Sequence, residues 1–215
     1  MKLYEFGPTR SIRARWMLQE LGLEFEAIPV NLPGGEHHNP PFLELNPAAK
    51  VPVLVDGDLI LTESVAIVLY LAEKYPDRGF IPIHPEARAD FYRWILFAVT
   101  ELEQPLWRIA RHTFLYPQKD RLPADVVLAG RDFAPMAAVL ENHMKGRTYV
   151  AGDGVTAADL VVAYTLDWAG EAGQLGECPG LRSYVERMYA RPRAPQRIGE
   201  IVRAMSSSTN AAANA

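Results

Sequence analysis

A threonine, a glutamate and a serine stand side by side at Thr62–Ser64, directly before an apolar stretch with helical spacing. The plain interpretation is a helix start, with Thr62 as the cap and an acid in the first turn. A helix start also offers unpaired backbone N–H groups and partial positive charge, which suit a carboxylate ligand. The Ser64 hydroxyl and N–H could hold that carboxylate, while Glu63 pairs with a neighbouring ammonium group. The three residues therefore predict a site for the zwitterionic end of an amino acid.

Pro52 lies inside an apolar run, Lys50–Val55, that must pair with neighbouring strands. A proline that opens a strand is usually no more than an edge-strand feature, and composition alone favours that interpretation. A cis Val51–Pro52 bond is the alternative, because it would turn the N–H and C=O of Val51 towards a ligand. The order of elements around the run favours the cis alternative.

The first thirty residues alternate between strand and helix patterns. Leu3–Phe6 and Phe25–Val30 have the apolar alternation of strands, and a helical spacing begins at Ser11. Gly22 follows at the position of a helix C-cap. The segment between the strands is long enough for a crossover, so this part of the chain predicts a β-α-β unit with parallel strands.

A polar segment rich in Gly and Pro then leads to a short helix, a hairpin and a longer helix. Their predicted bounds are 42–45 for the short helix, 50–55 and 59–61 for the hairpin strands, and 63–74 for the longer helix. Tyr75–Pro76 ends the longer helix. The order β-α-β-α-β-β-α predicts an α/β domain at residues 1–76.

The rest of the chain has only helical patterns. Residues 77–85 are expected to be a linker and residues 86–205 an all-helical domain, with an apolar stripe at Phe91, Trp94, Ile95, Ala98 and Leu102. Thr156 and Asp159 have the spacing of a capping box, to which we assign a structural role only. The tail, residues 206–215, is small and polar and is predicted to be disordered.

The composition excludes several classes of protein. Of the 215 residues, 49% are hydrophobic and 22% are charged, which is ordinary for a globular protein, and the formal net charge is -4. No basic stripe exists to neutralise nucleic-acid phosphates. The single cysteine, Cys178, can form neither an internal disulfide nor a Cys-rich metal site. With no apolar run typical of a signal peptide or membrane span, we expect a cytoplasmic protein without nucleic-acid, membrane or metal partners.

One pattern resembles the glutathione-binding half of the cytosolic glutathione transferases in spacing and in element order. It consists of Val51–Pro52, followed eleven residues later by Glu63–Ser64. The resemblance covers essentially the whole chain and is to bacterial members, with theta-like and Nu-like features. It implies a thioredoxin-like domain followed by an all-α domain that shapes the electrophile pocket. It also implies a homodimeric detoxification enzyme with glutathione as co-substrate.

The resemblance assigns roles to the residues that carry it. In the family, the Glu–Ser pair holds the γ-glutamyl end of glutathione, so this role falls to Glu63 and Ser64. The proline is cis, and the backbone before it pairs with the cysteinyl unit, which implies the same for Val51 and Pro52.

Two further residues match theta-like members at the glycyl carboxylate of glutathione. Those members use a Gly-x-His stretch and a Lys before the Val–Pro pair, which correspond to His37 and Lys50. Without the resemblance, the adjacent His37 and His38 on a polar loop indicate no more than solvated side chains, because no further metal ligands lie nearby.

The loop between the first strand and the first helix faces the glutathione sulfur in this family, where members use Tyr, Ser or Cys. No cysteine lies in this loop, which excludes a mixed disulfide there, and Arg10 stands where beta-like members have their cysteine. Gly7–Ser11 resembles the Ala-Pro-Thr-x-Asn run of Nu-like members, whereas the theta-like serine, expected near Phe6, is absent. We therefore expect Ser11 or Thr9 to activate the sulfur, with Ser11 preferred because it starts the helix.

Two alternatives to a catalytic hydroxyl stay open. Ser11 could be a plain helix cap, a role that serine favours. Backbone N–H groups together with Arg10 could then activate the sulfur. Arg13 is expected to be a surface charge.

Five aromatic and cationic residues follow the linker near the end of a long helix, and the resemblance implies that they line the second-substrate pocket: Trp107, Arg108, Arg111, His112 and Tyr116. Such a lining would favour flat or anionic acceptors. Packing between the domains is the alternative explanation for the same residues.

The resemblance leaves three functions open. The first is activation of the glutathione thiol for attack on a small hydrophobic or anionic electrophile. The second is a glutathione-dependent disulfide reductase or peroxidase, suggested by the Nu-like run, in which two glutathione molecules exchange disulfides without a protein cysteine. The third is a non-catalytic protein that binds glutathione or carries a ligand.

Overall fold

The alternating N-terminal runs form a four-stranded sheet in a computed structural model of the chain, which describes residues 1–213 and the side chains of residues 1–207. Its strands are β1 (Lys2–Glu5), β2 (Glu26–Pro29), β3 (Val53–Asp56) and β4 (Leu59–Leu61), in the spatial order β2-β1-β3-β4. β1 pairs in parallel with β2 and antiparallel with β3, and β3 pairs antiparallel with β4. With the helices between the strands, this confirms the predicted thioredoxin-like domain.

Three helices accompany the sheet: α1 (Ser11–Leu21), α2 (Pro40–Leu45) and α3 (Ser64–Lys74). α1 ends at Gly22 as predicted, and the φ of 68° there is a conformation that glycine adopts without a Cβ penalty. α1 and α3 pack against each other with buried apolar faces. Phe42 of α2 packs with Val30 and Val53 in a further apolar cluster.

The second part of the chain is helical, as predicted, with α4 (Pro85–Phe97), α5 (Glu103–Ala110), α6 (Pro123–His143), α7 (Ala157–Glu171) and α8 (Pro179–Tyr189). π-helical turns at Ala98–Leu102 and Arg111–Leu115 follow α4 and α5. All five residues of the predicted apolar stripe are buried. α7 is buried along nearly its whole length, so it forms the core of this helical part.

The chain divides into two units at positions that differ from the predicted ones. The first unit consists of Met1–Ile81 and the C-terminal segment from Arg191, and the second consists of Pro82–Ala190. The helical domain predicted for residues 86–205 therefore loses its last part to the first unit. Sequence periodicity identifies helices but does not show which unit a helix packs on.

A partly buried ion pair attaches the C-terminal segment, from Arg191 onward, to the first unit. Arg191 donates from Nε and Nη2 to the two carboxylate oxygens of Glu20, over 2.7 and 2.8 Å. The Glu20 side chain is only 6% exposed and also accepts a bond from Trp16 Nε1. Arg193 Nη1 donates to the backbone oxygen of Glu20 over 2.8 Å. Bidentate pairing with a carboxylate is strong and directional, so it fixes the returning segment on α1.

The last helix, α9 (Ile198–Ala213), runs through residues 206–213, where the composition predicts disorder. Two serine hydroxyls bond to carbonyls of the preceding turn, Ser206 to Val202 O and Ser207 to Arg203 O. Alanines follow, and alanine has the highest helix propensity. Small polar residues therefore continue the helix here. Of the predicted tail, residues 214–215 lie outside the described residues.

Candidate active site

The sheet brings three loops of the first unit to one end. Because β1 and β3 are antiparallel with Tyr4 opposite Val53, the loop after β1 lies beside the residues that precede β3. Leu54 lies opposite Leu61, so β4 also ends there, and α3 follows it. Eight of the predicted site residues lie on these loops or begin the helix that follows: Thr9, Arg10, Ser11, Lys50, Val51, Pro52, Glu63 and Ser64.

α3 begins at Ser64, and Glu63 occupies the cap position with φ 66° and ψ 112°. No side chain among the described residues caps this helix, so the predicted role of Thr62 as the cap is wrong. The reason is the backbone of Glu63, whose positive φ prevents it from being the first helical residue. Such a conformation costs a non-glycine residue on the order of 1–3 kcal/mol and is typical of functional sites.

Ser64 is buried and accepts a hydrogen bond from an arginine. Arg13 Nη1 donates to Ser64 Oγ over 3.4 Å, which joins the starts of α1 and α3. Arg13 is 1% exposed, so the expectation of a surface charge is wrong. The reason is that Arg13, the third residue of α1, faces α3 and not solvent. Glu63, in contrast, is exposed.

The loop before β3 is held by a residue that sequence reasoning missed. Asn46 donates from Nδ2 to Lys50 O over 2.7 Å and accepts at Oδ1 from Ala48 N over 3.0 Å. Val51 and Pro52 precede the first paired residue of β3, and the bond between them is cis. The Lys50 side chain is exposed. The Asn46–Pro47 dipeptide was the available signal, because asparagine before proline is typical of loops with side-chain-to-backbone bonds.

His37 lies in a 3-10 turn, Glu36–His38, before α2. The ring centres of His37 and His38 are 3.9 Å apart. Burial, together with the neighbouring His38, lowers the pKa of His37. Its Nδ1 is buried without a hydrogen-bond partner among the described residues. The imidazole is therefore predominantly neutral at pH 7 and can offer a hydrogen bond but little charge.

Thr9 and Ser11 form one hydrogen-bond network with Phe6. The Thr9 hydroxyl donates to Phe6 O, and Thr9 Oγ1 lies 2.9 Å from Ser11 Oγ. Because Thr9 has one hydroxyl proton, Ser11 is the donor to Thr9, and Ser11 Oγ in turn accepts from Phe6 N over 3.3 Å. Both hydroxyl protons are thus in use. Ser11 is 1% exposed, whereas Thr9 is only half-buried.

The first N–H groups of α1 are also in use. Ser11 N donates to Thr9 Oγ1 over 3.2 Å, Ile12 N to Thr9 O over 3.1 Å, and Arg13 N to Arg10 O over 3.2 Å. Arg10 occupies the cap position without a side-chain capping bond. Ser11 is the first helical residue, and its hydroxyl accepts from Phe6, so its alternative role as a plain helix cap is wrong.

α9 reaches this loop from the other end of the chain. A Cβ placed on Gly7 would lie 3.3 Å from Cγ2 of Ile201, closer than ordinary van der Waals contact. The Gly7–Pro8 bond is cis. No sequence pattern connects Gly7 with Ile201, and sequence reasoning missed both the contact and this second cis bond.

Two of the five residues predicted for the second-substrate pocket are engaged in packing within the second unit. Arg108 of α5 donates to Asp125 and Asp132 of α6 and holds the pKa of Asp125 below its usual range. His112 Nδ1 accepts from Leu122 N over 3.2 Å, and Nε2 lies 3.4 Å from the Asp125 carboxylate. These contacts attach α5 and the turn after it to α6.

The other three predicted pocket residues present a mixed aromatic and cationic surface. The Arg111 guanidinium lies 5.3 Å from the ring centre of Trp107, a cation–π distance. Trp107 contacts Trp168 edge to face, with ring centres 6.1 Å apart. Arg111 and Tyr116 are exposed. The second unit thus offers a flat aromatic surface beside a cation.

The predicted capping box at the start of α7 is confirmed and fully buried. Asp159 Oδ1 accepts from Val150 N over 2.8 Å and from the Tyr184 hydroxyl over 2.9 Å. Oδ2 accepts from the N–H and the hydroxyl of Thr156 over 2.8 and 3.0 Å. Burial raises the pKa of Asp159, and the four donors act against that shift. The carboxylate is saturated by the chain itself, so it serves structure.

The part of the chain that the structure describes contains no cluster of three His, Cys, Asp or Glu side chains that could hold a metal ion. None of its helices is both long and apolar enough to span a membrane. Cys178 is buried, and burial raises the pKa of its thiol, which disfavours a reactive thiolate.

Comparison with known proteins agrees with this geometry. The family model for the glutathione S-transferase N-terminal domain matches residues 1–73, and that for the C-terminal domain matches residues 112–192. Glutathione S-transferase 1 of Dianthus caryophyllus is 35% identical over 213 residues, which is 94% of each chain. A zeta class glutathione S-transferase of Euphorbia esula is 35% identical over 164 residues, 74% of this chain and 72% of its own.

A solved structure has the same fold. The glutathione S-transferase domain-containing protein of Marinobacter aquaeolei VT8 has a TM-score of 0.81 at 26% identity, over 91% of this chain and 100% of that chain. Both family models match in chain order, and together they cover more than half of the residues. The chain is therefore a member of the glutathione S-transferase family of enzymes.

Proposed function

We propose that this enzyme binds glutathione at the shared end of β1, β3 and β4 and activates its thiol for attack on a small electrophile. The observation that carries the proposal is the uncapped start of α3, where the exposed Glu63 precedes the buried Ser64. A helix start without a cap leaves backbone N–H groups for an incoming carboxylate. Family membership supports glutathione as the donor of that carboxylate.

The γ-glutamyl end of glutathione carries a carboxylate and an ammonium group on one carbon. In our proposal, Ser64 donates its hydroxyl proton and N–H to the carboxylate, and Glu63 pairs with the ammonium. The positive φ of Glu63 supports this assignment, because strained backbone persists where it holds a functional side chain in place.

The remainder of glutathione would follow the loop before β3. The backbone of Val51, before the cis bond to Pro52, pairs with the cysteinyl unit. The exposed Lys50 ammonium attracts the glycyl carboxylate, and His37 adds a hydrogen bond. Because the pKa of His37 is lowered, we assign the charge at this end to Lys50 and not to His37.

Activation of the sulfur needs a donor near Thr9. A free thiol has a pKa of roughly 8.5, and lowering it by about two units takes roughly 2.7 kcal/mol. One hydrogen bond to a charged group contributes about 1.5–3 kcal/mol. We assign this bond to Thr9, whose hydroxyl proton would turn from Phe6 O to the sulfur when glutathione binds. Ser11 is almost fully buried and directs its own proton to Thr9 Oγ1. Ser11 then orients Thr9, and Arg10 adds positive potential.

We assign the electrophile to the aromatic and cationic surface of the second unit. Trp107 would stack on a flat acceptor, and Arg111 and Tyr116 would bind a polar or anionic group on it. Arg108 and His112 would support this surface through Asp125. Conjugation of such electrophiles is a detoxification reaction.

Three measurements test the proposed function. Calorimetric titration should show glutathione binding, and turnover of an aromatic halide with glutathione should show conjugation. Faster turnover of a small disulfide or a peroxide than of the halide would favour the reductase or peroxidase alternative. Binding without turnover of any of these compounds would indicate a carrier protein, and absence of binding would refute the glutathione site.

We further propose that the enzyme is a cytoplasmic homodimer, as the resemblance implies. The apolar stripe that begins in α4 is buried in the single chain and is unavailable to a partner, although Leu96 remains 59% exposed. Leu59 and Ile60 on the edge strand β4 are 40% and 46% exposed and offer apolar surface for a two-fold contact. Light scattering at micromolar concentration should give twice the mass of one chain, and a monomer mass would contradict the proposal.

A further inference from the structure

Arg13 is among the largest fully buried side chains of the protein, with 1% of its surface exposed. A buried guanidinium is costly unless its donors and its charge are used. Within the first unit, one of its donors is directed at Ser64 Oγ, the side chain that begins α3. The cation thus lies directly behind the start of the helix.

The hydrogen bond between Arg13 and Ser64 has only one possible direction. A guanidinium has donors and no acceptor, so Ser64 Oγ accepts. The hydroxyl proton of Ser64 is then free to point away from Arg13, towards a second acceptor. Because α3 begins at the same residue, that acceptor would lie in the positive potential of both the helix start and the guanidinium.

We propose that Arg13 is a positioning residue that makes the start of α3 select a carboxylate over a neutral group of the same shape. Arg13 does not touch the ligand. It fixes Ser64 as a donor and places a desolvated positive charge behind it. This inference rests on the proposed function, in which the carboxylate belongs to the γ-glutamyl end of glutathione. It assigns the selectivity for a charged ligand group to Arg13, which lies on α1 and not beside Glu63 and Ser64 in the sequence.

The test compares two ligands that differ only in charge at this position. Glutathione and its analogue with the γ-glutamyl α-carboxylate replaced by a carboxamide are titrated calorimetrically into the full-length protein. We expect the wild type to prefer glutathione by at least roughly tenfold, the size expected for a hydrogen bond to a charged group. Arg13→Met should reduce this preference to about twofold or threefold, mainly by lowering the affinity for glutathione.

Arg15→Met is the matched control. Arg15 is on the same helix, two residues further along, but its guanidinium pairs with Glu5 and not with Ser64. This variant should retain the full preference for glutathione. A purely structural role for Arg13 predicts a different outcome for Arg13→Met, in which the affinities for both ligands fall by the same factor and the preference stays unchanged.

Arg13→Lys covers the case in which Arg13→Met does not fold, because it retains a buried cation but lacks the planar fork. Its preference for glutathione should fall below that of the wild type and stay above that of Arg13→Met, because the cation remains while its hydrogen bond to Ser64 is weakened. In a Ser64→Ala background, Arg13→Lys should cause no further fall in this preference. An unchanged preference in the folded Arg13 variants would overturn the inference while the proposed function stands. No glutathione binding by the wild type would overturn both.

Discussion

Helices α7 and α3 both begin beside a hydroxyl and an acid, and they use these groups in opposite ways. At the start of α7, Asp159 folds back and accepts four hydrogen bonds, two of them from Thr156. At the start of α3, Glu63 points outwards from a strained backbone and no side chain caps the helix. The chemical groups are alike, but only one of the two helix starts is closed by the chain itself.

A helix start with unpaired N–H groups can serve either stability or binding. The first N–H groups of any α-helix lack intrahelical partners, and side chains, water or a ligand must satisfy them. In α7 the protein supplies its own capping box, Thr156 with Asp159, and the site is buried. In α3, by our proposal, the partner is the carboxylate of the substrate. Mutations at the two sites should therefore separate stability from binding.

The largest expected effect is on stability, at α7. Asp159→Ala removes the carboxylate acceptor of four buried donors, of which only the Tyr184 hydroxyl has a second acceptor among the described residues, Asp159 O. The change should lower the free energy of unfolding by about 3–5 kcal/mol. Urea unfolding followed by circular dichroism measures this. Asp153→Ala, at an exposed position in the loop before α7, is the control and should change stability by less than about 0.5 kcal/mol. Equal effects of both variants would contradict the comparison.

The second effect is on binding, at α3. Ser64→Ala should weaken glutathione binding by about 1–3 kcal/mol, through loss of a hydrogen bond to a charged group. Its effect on unfolding should be smaller than that of Asp159→Ala. Ser183→Ala, on the exposed face of α8, serves as the control for removing a helical serine hydroxyl. Unchanged affinity in Ser64→Ala would remove the site assignment.

The start of α1 differs from that of α3, because its first N–H groups are already satisfied by the chain. Thr9→Ala should raise the pKa of the bound glutathione thiol by about one unit, because the proposed donor is lost. Ser11→Ala should raise this pKa by less, since Ser11 acts through Thr9. Ultraviolet absorbance of the thiolate across pH measures both shifts. If neither variant moves the titration, Arg10 and the backbone become the activating groups.

The smallest effect concerns the strain at Glu63. Glu63→Gly should stabilise the protein by about 0.5–1 kcal/mol, because glycine adopts the positive φ without a Cβ penalty. It should also weaken glutathione binding, because the partner of the ammonium is lost. Glu63→Gln removes the charge and keeps the strain, so it should weaken binding without stabilising the fold. Equal stability of the two variants would show that the backbone stores no strain.

Features that depend on neighbouring residues could be predicted from the sequence. The glycine at position 22 ends α1, the pair Thr156 and Asp159 caps α7, and alternation of apolar residues marks the strands. Each rests on an interaction within a few residues along the chain. The spacing of Pro52 and Glu63 also pointed to the family, which the family models confirm.

Features set by distant contacts could not be predicted. Thr62 has the best capping chemistry near α3, yet the positive φ of Glu63 moves the helix start past it. Arginine is normally exposed, whereas Arg13 is 1% exposed and donates to the first residue of α3. The pairing of Glu20 with Arg191 joins residues at opposite ends of the chain. Nothing local in the sequence signals any of these three.

The return of the chain from Arg191 to the first unit affects how the protein can be made. In covalent terms, the second unit is an insertion within the first, because residues before 82 and after 190 belong to the same unit. During synthesis, the N-terminal residues leave the ribosome long before Arg191 does. The Glu20 carboxylate, which is 6% exposed in the folded chain, therefore cannot form its ion pair with Arg191 until synthesis is nearly finished. The unit that carries the proposed glutathione site is therefore the first to begin folding and the last to be completed.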